Sequence, residues 1–130
     1  MKVMIDTNIF ISTVLFPNSV PAKAVHAACE KHELILCDHI INECYNTMKI
    51  KFPQHIPELD ELLATIDYET VTAPRVPAEM IADPKDAPIL NAAILHGVDV
   101  IISGDKHFLD LEMEYPRPMK AADFLEMYGE

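Results

Sequence analysis

Asp6, Glu43, Asp86 and Asp105 are the residues whose type and placement in this sequence suggest chemistry. Asp6 stands directly after an apolar run, Lys2 to Ile5. Asp105 follows a second apolar run, Val98 to Ser103, after a single glycine. Asp86 opens the segment that feeds into that second run. Glu43 lies one to two helical turns past a third run, Glu33 to Cys37, on the same helical face as Asn46. If these runs are parallel strands, ligands bind outside their carboxyl ends, so four carboxylates from distant segments can meet there. Hard divalent cations such as Mg2+ or Mn2+ want oxygen donors of this kind and few histidines. Two such ions roughly 3.5–4 Å apart can clamp the attacking and leaving oxygens of a phosphodiester, and one lowers the pKa of a bound water. Without metal, close carboxylates repel one another, and at least one should have a raised pKa. Each acid alone has a plainer reading: Asp6 and Asp86 as helix caps, Asp105 as a turn residue, Glu43 as a solvated helix residue. The constellation carries the argument.

The elements that must position these acids follow from apolar period and punctuation. Lys2–Ile5 reads as a strand, with Thr7 or Asn8 capping the helix that follows through Thr13. Pro17, Asn18 and Ser19 form a loop, and Pro21 suits the first turn of a second helix ending near Lys31. Glu33–Cys37 is the next strand, and Asp38 is expected to cap a third helix, Ile40 to Lys51. An amphipathic helix runs from Glu58 to Ile66, with Leu59, Leu62, Leu63 and Ile66 on one face. Thr70–Thr72 reads as a short strand, and Ala73 to Lys85, with three prolines, as a loop. A helix beginning at Asp86 buries Ile89, Leu90, Ala93 and Ile94 and stops at Gly97. Val98–Ser103 is a buried strand, Asp105–Leu109 a short helix, Met119 part of an edge strand, and Ala121–Tyr128 a terminal helix. Strands alternating with helices imply an α/β fold, a parallel sheet with helices on both faces. No internal repeat, low-complexity stretch or linker is visible, so residues 1–130 read as a single domain.

Composition narrows the classes. Half the residues are hydrophobic and only three are glycine, which suits a folded core and not a disordered chain. No apolar run approaches the roughly 20 residues of a membrane helix, and Asp6 comes too early for a secretory signal, so the expected location is the cytoplasm. The three cysteines, Cys29, Cys37 and Cys44, are an odd and unevenly spaced set, unlike a secreted disulfide scaffold. His26, Cys29, His32 and His39 lie near one another in sequence. They lack the paired spacing of a zinc site, so they read as buried thiols beside surface histidines. The formal net charge of −11 counts against gripping nucleic acid by charge alone. Two divalent ions would leave −7, and a basic partner protein is one way to offset the rest.

Three segments resemble a known family. Val3-Met4-Ile5-Asp6-Thr7-Asn8-Ile9-Phe10 resembles the opening strand and Asp-Thr-Asn turn of PIN-domain nucleases. Ser103-Gly104-Asp105-Lys106-His107-Phe108-Leu109 resembles their late Ser/Thr-Gly-Asp segment. Asp83-Pro84-Lys85-Asp86-Ala87-Pro88-Ile89-Leu90 resembles the acidic helix start of the VapC-like branch, toxins of toxin–antitoxin pairs. The resemblance spans nearly the whole chain. It implies a Rossmann-like α/β/α sandwich with a mainly parallel central sheet, and Mg2+- or Mn2+-dependent cleavage of RNA. The family's acidic tetrad falls on Asp6, Glu43, Asp86 and Asp105. Ser103 matches a hydroxyl position beside the last acid, Asn8 a polar position after the first, and Asp83 a supporting carboxylate. An antitoxin partner and a homodimer are further implications.

The function expected from these readings is hydrolysis of single-stranded or structured RNA. Asp6, Asp86 and Asp105 serve as metal ligands, and Glu43 positions the metal or its water. Lys49, Lys85 and Lys106 are possible phosphate contacts, although lone lysines are more often solvated. The Leu59/Leu62/Leu63 face could serve an interface, with core packing the expected use. Phosphotransfer through an aspartyl phosphate, as in haloacid-dehalogenase-like phosphatases, needs a second acid where Asn8 stands, and no phosphate-cradling glycine-rich loop is present. The stronger rival is a PIN-like module that binds RNA or protein without cutting. The net charge favours that reading, and the intact tetrad opposes it.

Overall fold

The computed structural model describes residues 1–73 and 87–129. The elements in chain order are β1 (Lys2–Ile5), α1 (Thr7–Leu15), α2 (Val20–Lys31), β2 (Glu33–Cys37), α3 (Asp38–Lys51), a 3-10 turn (Pro53–His55), α4 (Ile56–Thr65), β3 (Glu69–Val71), α5 (Ala87–Leu95), β4 (Val100–Ile102), α6 (Lys106–Leu109), β5 (Arg117–Met119) and α7 (Ala121–Tyr128). The five strands form one sheet in the order β3-β2-β1-β4-β5. Every neighbouring pair is parallel, and helices flank the sheet in an α/β/α sandwich. Such a sheet is covered on both faces, so its inner strands are continuous apolar runs. Val3, Met4 and Ile5 are fully buried, as are Leu36 and Ile102.

The chain leaves β1 toward β2 on one side of the sheet and reaches β5 from β4 on the other. The strand order therefore reverses between β1 and β4, and the crevice outside their carboxyl ends is where open α/β sheets take ligands. The register aligns Ile5 with Ile102, which sets Asp6 level with Ser103. The Asp6 amide donates to the Ile102 carbonyl at 3.1 Å. β5 is an edge strand, and its inward groups are used: Arg117 N donates to Asp99 O, and Met119 O accepts from Ser103 N. Pro118 between them therefore turns its donor-less nitrogen outward, which blunts the edge.

Local chemistry explains where the elements differ from expectation. Asp6, not Thr7 or Asn8, caps α1, because its side chain accepts from Ile9 N. Asp38 is not the cap of α3. Cys37 occupies that position without a side-chain bond, and Asp38 Oδ1 instead accepts from His39 N at 2.8 Å and from Ala73 N at 2.9 Å. One carboxylate thus ties the start of α3 to the chain just past β3. β3 lies one residue earlier than expected, and β4 is shorter, although Val98 and Ser103 at its flanks are buried. On α5, Ile89, Leu90, Ala92 and Ala93 are buried while Ile94 is 44% exposed. At roughly 100° per residue the buried four span an arc centred near Ile89 and Ala93, and Ile94 falls past its edge. Leu59 is buried and Leu62, Leu63 and Ile66 pack against the core, so that face of α4 is spent internally. Among the described residues no helix is long and apolar enough to cross a membrane.

Gly97 ends α5 with φ +68°. Val98 N donates to Ala93 O and Gly97 N to Ile94 O, the paired bonds of a Schellman motif that aims the chain into β4. A Cβ at Gly97 meets no atom within 4 Å, so an alanine there is opposed by backbone strain alone. Gly97→Ala is expected to destabilise the fold by about 1–2 kcal/mol, read as a lower denaturation midpoint. An unchanged midpoint would contradict this account of the helix stop.

Candidate active site

Asp6 is 3% exposed, and both its carboxylate oxygens are used. Oδ1 accepts from Ile9 N at 3.0 Å, and Oδ2 accepts from the Ser103 hydroxyl. Ser103 is fully buried, and its oxygen in turn accepts from Asp105 N at 2.9 Å. One hydroxyl thus joins the end of β1 to the turn after β4. Asp105 caps α6, with Oδ1 accepting from His107 N at 2.8 Å, and His107 Nδ1 stands 3.2 Å from the same oxygen. A Cβ at Gly104, in the turn between Ser103 and Asp105, would meet no atom within 4 Å.

Glu43 comes from α3. Its Oε1 accepts from the Thr7 hydroxyl, and its Oε2 lies 3.4 Å from His39 Nε2. Thr7 is buried in the first turn of α1, so the packing of α1 on α3 brings Glu43 toward Asp6. Burial pushes the Asp6 carboxyl above its ordinary range, and the charges of Asp105 and Glu43 push the same way. The bonds from Ser103 and Ile9 oppose the rise without cancelling it. The same field reaches Cys44, whose thiol is pushed up to about 12 by burial, then by Glu43 and Asp6. Cys37 is raised to about 11, chiefly by burial. Neither thiol is a thiolate near neutral pH, so both behave as core residues.

The structure therefore brings Asp6, Ser103, Asp105 and Glu43 to one end of the sheet, with Asn8 exposed one residue further into α1. Asp83 and Asp86, with Lys85, lie outside the described residues. Lys106 is exposed directly beside Asp105, whereas Lys49 sits on the far part of α3. Two neighbours of Glu43 were not singled out by sequence. In sequence Thr7 reads as a possible cap and as part of the Asp-Thr-Asn turn, and its burial with its hydroxyl on Glu43 marks it in the fold. His39 was read with the zinc-like cluster, yet it sits at Glu43, while His32 stacks edgewise on Phe124 and Tyr128, and Cys29 bonds to the His26 carbonyl.

Among the described residues no three His, Cys, Asp or Glu side chains stand close enough to hold an ion among themselves. The donor chemistry nevertheless suits a hard divalent cation. Mg2+ keeps most of its waters and needs only one or two carboxylates, and the Ser103 hydroxyl ties the Asp6 carboxylate to the backbone amide of Asp105. Burial is the main cause of the raised Asp6 pKa, and the charges of Asp105 and Glu43 add to it in the direction a cation would relieve.

The PIN domain family model matches residues 2–107. A chain of the crystal structure of VapBC2 from Rickettsia felis, solved bound to a DNA fragment from their promoter, has the same fold, with a TM-score of 0.72. It is 15% identical, and the match covers 92% of this chain and 98% of that one. No curated protein matches the sequence.

A raised folded-state pKa makes Asp6 a pH-dependent cost. The folded state holds the Asp6 proton more tightly than the unfolded chain does, so this contribution favours folding below the ordinary carboxylate pKa. It is lost as pH rises through the raised folded value. Asp6→Asn removes the charge at nearly constant shape. It keeps one acceptor oxygen for Ile9 N, while its amide nitrogen can donate to the Ser103 oxygen in place of accepting from it. In EDTA at neutral pH the variant is expected to melt a few degrees above wild type, with the difference shrinking toward pH 4. Equal or lower melting at neutral pH would contradict the burial and repulsion described here.

Proposed function

The chain belongs to the PIN-domain family, and on that premise we propose that it is a Mg2+- or Mn2+-dependent ribonuclease that hydrolyses phosphodiester bonds in single-stranded or structured RNA. The observation that supports this reading most is the Asp6–Ser103–Asp105 bridge at the strand-order reversal, with Glu43 held beside it. In this proposal Asp6, Asp86 and Asp105 hold the cation, Glu43 completes the catalytic set, and Asn8, Asp83 and Ser103 support it. When bound, the cation supplies positive charge to the phosphate oxygens and lowers the pKa of water near them.

The chain's own groups do the rest. Ser103 fixes the Asp6 carboxylate and, by accepting from Asp105 N, the turn that carries Asp105. Burial of Asp6 keeps bulk water from its oxygens, so its charge is less screened than that of an exposed carboxylate. Lys106, exposed next to Asp105, reaches a substrate phosphate. With a net charge of −11, the chain cannot rely on a basic track, so RNA affinity depends on the loaded site.

The proposal extends to the setting. The chain acts as one domain in the cytoplasm, as the toxin of a toxin–antitoxin pair, with an antitoxin and a second copy of itself as partners. A similar fold in the Rickettsia felis VapBC2 complex supports the pairing. Since α4 spends its leucines on the core, exposed apolar residues such as Phe16, Ile50, Leu95 and Tyr115 are the candidates for such contacts. The acidity of the chain favours one alternative, a PIN-like module that binds RNA or protein without cutting.

Cleavage of labelled single-stranded RNA by purified protein in Mg2+, Mn2+ or EDTA separates the two. We expect cutting with either metal and none in EDTA, with Asp6→Asn and Asp105→Asn each reducing the rate on the order of 10²-fold or more. A folded wild type that cuts no RNA tried, with or without metal, would leave the binding module as the better reading.

A further inference from the structure

We infer that His39 is a positioning residue for Glu43 and, through it, sets how tightly the acidic site holds a divalent cation. The inference rests on the metal-site reading above and adds a residue to it. His39 and Glu43 are four apart on α3, so the helix stacks one side chain over the other. His39 Nε2 lies 3.4 Å from Glu43 Oε2, while the Thr7 hydroxyl donates to Oε1. Each oxygen of this carboxylate thus has its own neighbour, one from α3 and one from α1.

That arrangement answers a specific problem. Glutamate has three rotatable side-chain bonds and is costly to order, and Glu43 is 31% exposed at the edge of the site. A carboxylate free to swing into solvent would contribute little to a cation held near Asp6. Thr7, buried in the first turn of α1, donates to one oxygen, and His39 stands beside the other. Either the neutral imidazole with its proton on Nε2 or the imidazolium donates to a carboxylate, so this orientation does not wait on a change of charge. Groups that orient metal-binding side chains from outside govern affinity by roughly 10–100-fold. The His39–Glu43 pair is about one-third exposed on both sides, so its direct contribution to folding is small. Loss of His39 should accordingly separate metal affinity from stability.

Calorimetric titration of the full chain with Mn2+ tests this, alongside thermal melting in EDTA. His39→Ala is expected to weaken Mn2+ binding about 10-fold or more while melting within about a degree of wild type. His39→Gln, whose amide N–H can reach the same oxygen, should recover most of the affinity. In a Glu43→Gln background the effect of His39→Ala should vanish, since the two act as one unit. Unchanged Mn2+ affinity in His39→Ala, or a loss that persists without the Glu43 carboxylate, would overturn the positioning role and leave the metal site standing. A wild type that binds no Mn2+ would instead overturn the metal-site reading and this inference with it.

Discussion

A nearly buried carboxylate with acidic neighbours is the constraint around which this molecule is arranged. Asp6 follows a strand with no exposed residue among its last three, and its own exposure is 3%. Burying a charge is expensive unless hydrogen bonds and counter-charge compensate. Here the hydrogen bonds come from the first turn of α1 and from Ser103, while the ionisable neighbours acting on it among the described residues, Asp105 and Glu43, carry the wrong sign. Among the described residues, the sheet thus delivers acids to a place where no cationic side chain relieves the charge on Asp6. Natural sites that trade stability for function look like this, and a divalent cation is the simplest relief.

The parallel topology makes such a site possible. Because β1 and β4 are neighbours with their successors on opposite sides, the residues just past both strands share one crevice. One buried hydroxyl can then join the Asp6 carboxylate to the Asp105 amide, and α1 and α3 can each add a group from the same end of the sheet. At the other end, Lys2 N and Nζ are taken up by Asp99 and the His96 carbonyl.

Much of this was legible in the sequence. β1, β2 and α7 fall where their apolar runs and punctuation put them, and Asp6 and Asp105 were recognisable as acids at strand ends. The caps were harder. Asp6 does two jobs, and residue preference alone ranks Thr7 and Asn8 as plausible caps, whereas strand register decides which residue is last before the helix. Asp38 looked like a cap by type but serves the chain past β3 through a contact 35 residues away. Ile94 was misplaced because a short helix leaves the centre of its inner arc uncertain by a residue. The roles of Thr7 and His39 depend on how α1 packs against α3, which no local pattern encodes. Asp83 and Asp86 remain as sequence assigns them, outside the described residues.

The central claim is that Asp6 carries an uncompensated charge that a divalent cation relieves. Titration of the Asp6 side-chain carboxyl by carbon-detected NMR, first in EDTA and then in saturating Mg2+, tests it most directly. The account predicts a pKa above the ordinary value of 3.8 in EDTA and a marked fall when Mg2+ is present. An Asp6 pKa at or below 3.8 without metal, unmoved by Mg2+, would contradict it.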